Sequence, residues 1–331
     1  MCNYGFRDLY CTYVILSEVE ESNPHKSQLG WLFSYYPMNN KNTLLSEYKN
    51  GNYTVRLYAD GTKVKRTEED YFSADFPDSI DLKITDYCDI LCPMCHEKST
   101  PDGKHANLDY HFLSSLTAGT ELAIGGGNPL SHPKLVDFLT RMKEQGIICN
   151  LTVNQTHLLL HLNLIKELIN KKLIYGLGVS VSNINERVIS FAHRNNNVVL
   201  HLILGTPIMD NVEKLFYKRL KVLLLGYKKF GRGEDYYNSS VDERIERTKK
   251  RLNEILNSFE VVSFDNLALE QLSVKENIPN DIYEKGFMGN DGESTMYIDL
   301  VKGEFAVSST ATKRYKITNN IKEMFSIVKT Q

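Results

Sequence analysis

The chain has 331 residues and a formal net charge of −2 at pH 7. Its contents of 42% hydrophobic and 24% charged residues predict an ordinary soluble globular protein, and the near balance of charges argues against a strongly basic nucleic-acid-binding protein. The sequence has neither an apolar run of about 18 residues nor a signal-peptide pattern at its start. We therefore expect a cytoplasmic protein that does not cross a membrane and whose cysteines are not paired in disulfides.

Residues 1–75 are predicted to form a small β-rich N-terminal module. Asn-Gly and Asp-Gly pairs, at 50–51 and 60–61, are strong signals for tight hairpin turns. The residues between them alternate in polarity as a strand does. We expect a three-stranded meander over 44–67.

From residue 76 to 259, short apolar runs alternate with amphipathic stretches, which predicts parallel strands joined by right-handed helical crossovers. The predicted strands cover 80–85, 121–125, 148–153, 174–181, 198–204 and 222–227. The predicted helices lie near 108–118, 132–145, 157–171, 184–194, 210–220 and 241–258. Six such units favour a partial (β/α)6 TIM-like barrel over an open doubly wound sheet, although periodicity alone does not distinguish the two.

Residues 260–331 are predicted to be a C-terminal extension that caps the barrel. The pattern of apolar residues becomes irregular there, and two further strands are expected at 261–264 and 295–301. No cysteine follows residue 230, so this part of the chain offers no cysteine ligands for an iron–sulfur cluster of its own.

Three of the six cysteines lie close together, at Cys88, Cys92 and Cys95, directly after the first predicted barrel strand. We call residues 87–100 the cysteine loop. Three thiolates can bind three irons of a [4Fe–4S] cluster and leave the fourth iron open. The alternative is a zinc-stabilised barrel or binding module without redox chemistry, with His96 as the fourth ligand. The spacing alone leaves both open.

The C-x3-C-x2-C pattern, with the apolar Met94 before its third cysteine, resembles the signature of the radical S-adenosylmethionine superfamily. The resemblance extends over about residues 80–230. It implies an oxygen-sensitive enzyme with a [4Fe–4S] cluster on the three cysteines. Such an enzyme cleaves S-adenosylmethionine reductively to a 5′-deoxyadenosyl radical, which abstracts hydrogen from a second substrate. A one-electron reductant of the flavodoxin or ferredoxin type is the implied partner.

Later segments are similar to the cofactor-binding turns of that superfamily. Gly126-Gly127-Asn128 resembles its Gly-Gly-Glu-Pro turn, with asparagine in place of the glutamate that binds the methionine amino group. Taken alone, each segment could be an ordinary turn or a capped strand end. The cofactor-binding residues implied by the resemblance are Met94, Gly126, Gly127, Asn128, Asn154, Ser180 and Ser182.

The substrate and the catalytic residues that act on it are not identified by the sequence. We prefer a peptide or protein substrate, because an added β-module and a capping tail suit a bulky partner; a nucleoside or other small metabolite is the alternative. The basic, glycine-flanked segment 226–233 follows the sixth predicted strand, at the barrel mouth, so Lys228, Lys229 and Arg232 could close over an anionic or extended substrate; a solvated basic loop is the alternative.

Overall fold

The computed structural model describes residues 7–11, 14–15 and 43–329. Its strands are β1 (Arg7–Cys11), β2 (Val14–Ile15), β3 (Leu44–Asn50), β4 (Tyr53–Tyr58), β5 (Lys63–Thr67), β6 (Ser79–Thr85), β7 (Glu121–Gly126), β8 (Ile148–Asn154), β9 (Gly176–Ser180), β10 (Val198–Ile203), β11 (Lys221–Leu225), β12 (Val261–Phe264), β13 (Thr295–Asp299), β14 (Glu304–Ala306) and β15 (Tyr315–Lys316). Its helices are α1 (Leu135–Glu144), α2 (Gln155–Leu160), α3 (Leu162–Asn170), α4 (Glu186–Arg194), α5 (Arg232–Tyr236), α6 (Ser239–Lys250), α7 (Leu252–Leu256), α8 (Asn266–Gln271), α9 (Val274–Asn277), α10 (Asn280–Gly286) and α11 (Ile321–Lys329). No helix within these described ranges is long and apolar enough to cross a membrane.

The predicted meander is present as β3, β4 and β5, which pair antiparallel, and β1 adds a fourth strand beside β5. The turn between β3 and β4 falls on Gly51 and Asn52, one residue later than predicted, because Asn50 pairs with Tyr53. Gly51 has a φ of 56°, a conformation that glycine adopts without strain. The rest of the predicted module, in 1–6, 12–13 and 16–42, lies outside the described residues.

The predicted partial barrel is confirmed as a large, mostly parallel sheet that is not closed. Eight parallel strands run in the order β13-β6-β7-β8-β9-β10-β11-β12, with β14, β15 and β2 antiparallel at the edges. Two of the eight, β12 and β13, come from the segment that was expected to cap the barrel, and β13 returns to pair with β6. The boundaries at 75 and 259 stay predictions.

Two of the predicted helices, near 108–118 and 210–220, are instead 3₁₀ segments at His111–Ser115 and Pro207–Leu215. In the first, the hydroxyls of Ser114 and Ser115 donate to carbonyl oxygens three residues earlier, which satisfies those carbonyls locally and favours the tighter turn.

Strand β6 shows how the barrel separates its two faces. Ile80, Leu82 and Ile84 are almost fully buried and pack outward against the helices. The alternating residues Asp81 and Lys83 therefore point into the barrel. A strand with two charged inward side chains places polar chemistry inside the barrel, below the cysteine loop that follows it.

A buried ionic network joins the meander to the barrel. Lys65 Nζ lies 2.8 Å from an oxygen of Asp78 and donates to Ser294 Oγ, while Asn50 Nδ2 donates to Asp78 at 2.7 Å. Burial alone would raise the pKa of Asp78, but the charges of Lys65 and Lys63 and these hydrogen bonds outweigh it and lower the pKa. The ionised carboxylate therefore stabilises this junction.

Candidate functional site

The cysteine loop begins where β6 ends and is closed by backbone hydrogen bonds. The Cys88 N–H donates to Thr100 O at 2.9 Å, which ties the two ends of the loop together. Inside the loop, the Cys95 N–H donates to Cys92 O at 3.2 Å and the Lys98 N–H donates to Cys95 O at 3.3 Å. All three thiols are half-buried on this one loop.

The thiols influence one another electrostatically. Burial raises the pKa of Cys88 and of Cys92, and the neighbouring thiols raise both further. The nearby charge of Arg232 acts in the opposite direction on Cys92. Among the described residues, the one set of three side chains with metal-binding atoms within 4.8 Å of one another is Cys88, Asp89 and His157, so the three thiols are spread more widely than that.

Arg232, at the start of α5, holds the cysteine loop in place. Its Nε donates to Cys92 O and its Nη1 donates to Ser99 O, each at 3.0 Å, and its backbone N–H donates to Cys95 O at 3.0 Å. The preceding Gly231 packs so closely that a Cβ there would lie 2.3 Å from His96 O. Gly231 and Arg232 therefore form a clamp on the cysteine loop.

This clamp argues against the interpretation that all three basic residues of segment 226–233 contact the substrate. Arg232 does not face a substrate, because its guanidinium is used by the backbone of the cysteine loop. Lys229 is exposed and lies over the Tyr237 ring, with its Nζ 3.4 Å from the ring centre, and Lys228 donates to Ser309 Oγ. Of the three basic side chains, Lys228 is the one that lines a cavity.

The glycine turn after β7 packs directly against the start of the cysteine loop. The Gly127 N–H donates to Thr85 O at 2.8 Å, and the Asn128 N–H donates to Tyr87 O at 2.6 Å. A Cβ on Gly127 would lie 2.1 Å from Tyr87 O, so this approach requires glycine. The Asn128 side-chain oxygen accepts from the Leu130 N–H at 3.2 Å and so caps its own turn.

Asn154 and Ser180 are direct neighbours at the carboxyl ends of β8 and β9. Asn154 Nδ2 lies 4.0 Å from Cys92 Sγ, while its oxygen caps α2 through the Thr156 N–H. Ser182, two residues beyond Ser180, is exposed. Met94 is half-buried within the cysteine loop and packs against the core. The structure thus brings Asn154 and the glycine turn to the cysteine loop, with Ser180 beside Asn154.

Two connections between α2 and its surroundings were not predicted. His157 is buried and its Nε2 lies 2.7 Å from Asp89 Oδ1 in the cysteine loop. Gln155 is also buried; it donates to Asn183 Oδ1 and accepts from the Ser182 N–H. The sequence did contain a signal for these contacts, a polar Gln-Thr-His run at the start of an amphipathic helix. Polar residues that become buried in such a position need hydrogen-bond partners.

Among the described residues, His96 does not form a close set of potential metal ligands with the thiols. Its Nε2 lies 3.5 Å from Glu97 Oε1, and Glu97 is held by Lys83 at 2.7 Å and by the Tyr297 hydroxyl at 3.0 Å. Lys83 Nζ also lies 3.3 Å from Asp299. This buried network connects the cysteine loop to β6 and β13, and it holds the His96 ring through its Nε2.

No family model matches the chain. A curated relative, the tungsten-containing aldehyde ferredoxin oxidoreductase cofactor-modifying protein of Pyrococcus furiosus, is 28% identical over 149 residues, which are 43% of this chain and 39% of that protein. The chain therefore aligns with well under two thirds of that relative's length.

Among solved structures, the fold is similar to SuiB of Streptococcus suis bound to precursor peptide SuiA, with a TM-score of 0.53 and 13% sequence identity over 77% of this chain and 65% of SuiB. SuiB bound to S-adenosylmethionine gives a TM-score of 0.49 at 12% identity, over 74% of this chain and 64% of that one. At such identities the first of these comparisons shows the fold. On that ground the fold predicted from the sequence is confirmed: the chain shares the partial-barrel fold of SuiB.

Proposed function

We propose that this chain is a radical S-adenosylmethionine enzyme whose [4Fe–4S] cluster is bound by Cys88, Cys92 and Cys95. One observation carries the proposal: three half-buried thiols share a single loop at the carboxyl end of β6, and the predicted cofactor turns after β7 and β8 pack against that loop. In parallel barrels, the carboxyl ends of the strands form the active-site face.

The donor set fits an iron–sulfur cluster. All three ligands on the loop are thiols, the ligand type that such clusters use. A tetrahedral zinc site with Zn–S bonds of about 2.3 Å holds its ligand atoms about 3.8 Å apart. The three thiols are spread too widely to lie within 4.8 Å of one another, and among the described residues His96 does not lie that close to any two of them. Both observations favour the cluster over the zinc alternative.

The residues around the thiols have distinct supporting roles. Arg232 keeps the cysteine loop closed, and Asn154 presents an amide N–H to the Cys92 sulfur. Gly126 and Gly127 let the turn pack against Thr85 and Tyr87 at the start of the cysteine loop, beside which the methionine part of S-adenosylmethionine would bind. Asn128 uses one lone pair of its side-chain oxygen for Leu130, so the second remains for an ammonium group. Met94, Ser180 and Ser182 complete the proposed cofactor pocket.

With cluster and cofactor bound, one electron from a flavodoxin- or ferredoxin-type reductant would release methionine and a 5′-deoxyadenosyl radical, which takes a hydrogen atom from the substrate. The protein's contribution is to position the reacting groups and exclude side reactions. We further propose a peptide or protein as the substrate. The support is that SuiB, which shares the fold, was solved with a precursor peptide. A nucleoside or small metabolite is the second candidate.

The proposal is tested by purifying the full chain without oxygen and measuring its colour, iron content and cleavage of S-adenosylmethionine under a chemical reductant. We expect a brown protein with about four irons that forms 5′-deoxyadenosine. A colourless protein that contains about one zinc ion would instead establish the zinc alternative.

A further inference from the structure

Within residues 7–11, 14–15 and 43–329, the carboxylate of Asp81 has no partner. It points into the barrel from β6, between the buried Ile80 and Leu82. Protein atoms surround it, yet its side chain is accessible because it borders an interior cavity. Among the described residues, none forms a hydrogen bond or an ion pair with it.

The contrast with Lys83, the next inward residue on the same strand, is informative. Lys83 is almost fully buried and its ammonium is neutralised by Glu97, Asp86 and Asp299. A buried charge is energetically costly unless it is paired, and at Lys83 three carboxylates provide this pairing. At Asp81 the same strand presents a carboxylate that forms no ion pair with any of the described side chains.

The cavity beside Asp81 has a volume of about 640 Å³. It lies between β6 and β13 on one side and α8, α9 and α10 on the other, where the sheet is not closed. Its charged lining consists of five carboxyl side chains and two lysines: Asp81, Asp265, Glu270, Glu276, Asp291, Lys228 and Lys275.

Neither lysine forms an ion pair with Asp81. Lys228 donates to Ser309 Oγ, and Lys275 lies over the Tyr283 ring, 5.4 Å from its centre. Burial raises the pKa of Asp81 to about 6, against the opposing charge of Lys228. The carboxylate is therefore mostly ionised at neutral pH, inside a cavity of predominantly negative charge.

The cavity is separate from the proposed cofactor pocket. None of the cofactor-binding residues named above lines it, whereas Glu97, two residues after Cys95, is close enough for its charge to act on Asp81. The cavity is thus distinct from the proposed cofactor pocket but within electrostatic reach of the cysteine loop.

We propose that Asp81 binds a cationic group of the substrate, an amine or a guanidinium, and thereby selects which part of the substrate enters the barrel. This role rests on the function proposed above, because that function supplies the reaction at the cysteine loop. A cation in this cavity would gain a charge-assisted hydrogen bond from its own N–H groups to the carboxylate. It would also reduce the net negative charge of the lining.

The test uses the full chain, purified without oxygen, and three small probes: n-butylammonium, n-butylguanidinium and uncharged n-butanol. Calorimetric titration should show that at least one cation binds more tightly than n-butanol. The Asp81→Asn variant should bind that cation at least about tenfold more weakly, since a hydrogen bond to a charged group is lost. The two cations distinguish an amine-binding from a guanidinium-binding site. Glu276→Gln, which removes one charge from the rim of the same cavity, should change the affinity by less than about threefold.

Thermal unfolding without probe provides a second measurement. Removing an unpaired enclosed charge should leave the Tm of Asp81→Asn unchanged or raise it. A fall of more than about 5 °C would identify Asp81 as a structural group and overturn the inference. Equal cation affinity in Asp81→Asn and the wild type would also overturn it. Iron content, measured on the same samples, tests independently whether the proposed cluster is present. Binding of the probes does not depend on cleavage of S-adenosylmethionine, so the two proposals can fail separately.

Discussion

Replacing Arg232 by alanine should loosen the cysteine loop without unfolding the barrel. The guanidinium donates one hydrogen bond to Cys92 O and one to Ser99 O, each at 3.0 Å. A hydrogen bond that involves a charged group contributes about 1.5–3 kcal/mol. Because Arg232 is half-buried, water replaces part of both bonds, and we expect a loss of about 2–3 kcal/mol in the free energy of loop opening. That corresponds to about 30- to 150-fold more frequent opening.

Amide hydrogen exchange of the full chain, followed by mass spectrometry, measures this opening directly. Peptides that cover residues 92–99 should exchange about 30- to 150-fold faster in Arg232→Ala, while peptides from β7 and β8 should be unchanged. The cluster-loaded protein should also release iron to a chelator faster.

Two further variants separate the hydrogen bonds from the charge. Lys229→Ala removes a positive charge from the same segment, but Lys229 packs on Tyr237 and should leave exchange in the cysteine loop unaffected. Arg232→Lys keeps the charge without the planar fork that reaches two carbonyls, so it should show an intermediate effect. Wild-type exchange in Arg232→Ala would refute the clamp.

Three other predictions follow from the site and the core. Replacing all three cysteines of the cysteine loop by alanine should reduce the iron content from about four atoms to none and abolish 5′-deoxyadenosine formation, measured by chromatography. Gly127→Ala should lower the Tm and weaken S-adenosylmethionine binding measured by calorimetry, because the new Cβ would lie 2.1 Å from Tyr87 O. Asp78→Asn should cost about 3–5 kcal/mol of stability at pH 7, measured by urea unfolding, since Lys65 is left buried and unpaired. Because the folded-state pKa of Asp78 is lowered, its contribution is fully present above the unfolded carboxyl pKa of about 4 and is lost as the pH falls through the lower folded-state pKa, so wild type and variant should converge only in strong acid.

Matched controls accompany the first two of these predictions. Cys149 is buried in β8, where burial raises its pKa to about 12, and Cys149→Ala should retain normal iron content. A Cβ on Gly125 would meet no atom within 4 Å, so Gly125→Ala should be tolerated. Iron retained in the triple cysteine variant would rule out the cluster ligands, and equal effects at Gly125 and Gly127 would rule out the contact with Tyr87. A stability difference at Asp78 that persists in strong acid would contradict the lowered pKa.

The sequence by itself determined where the barrel strands lie and where the reactive loop begins. Apolar runs and turn signals are local properties, and the predicted runs at 80–85, 121–125 and 148–153 coincide with β6, β7 and β8 almost residue for residue. The cysteine spacing is also local, because three thiols within eight residues must share one loop.

The tertiary structure decided which distant groups meet. Two contacts join residues far apart in the chain: β13 pairs with β6, and Arg232 clamps a loop some 140 positions earlier. No local sequence pattern encodes such long-range contacts. The sequence also could not show that the Asn128 side-chain oxygen accepts a hydrogen bond from the Leu130 N–H, because this contact forms only when the turn is folded. The contrast between the paired Lys83 and the unpaired Asp81 is the clearest case. The alternation of β6 predicts that both point inward, but whether a charge finds a partner depends on side chains from other strands and loops, which only the folded barrel brings together.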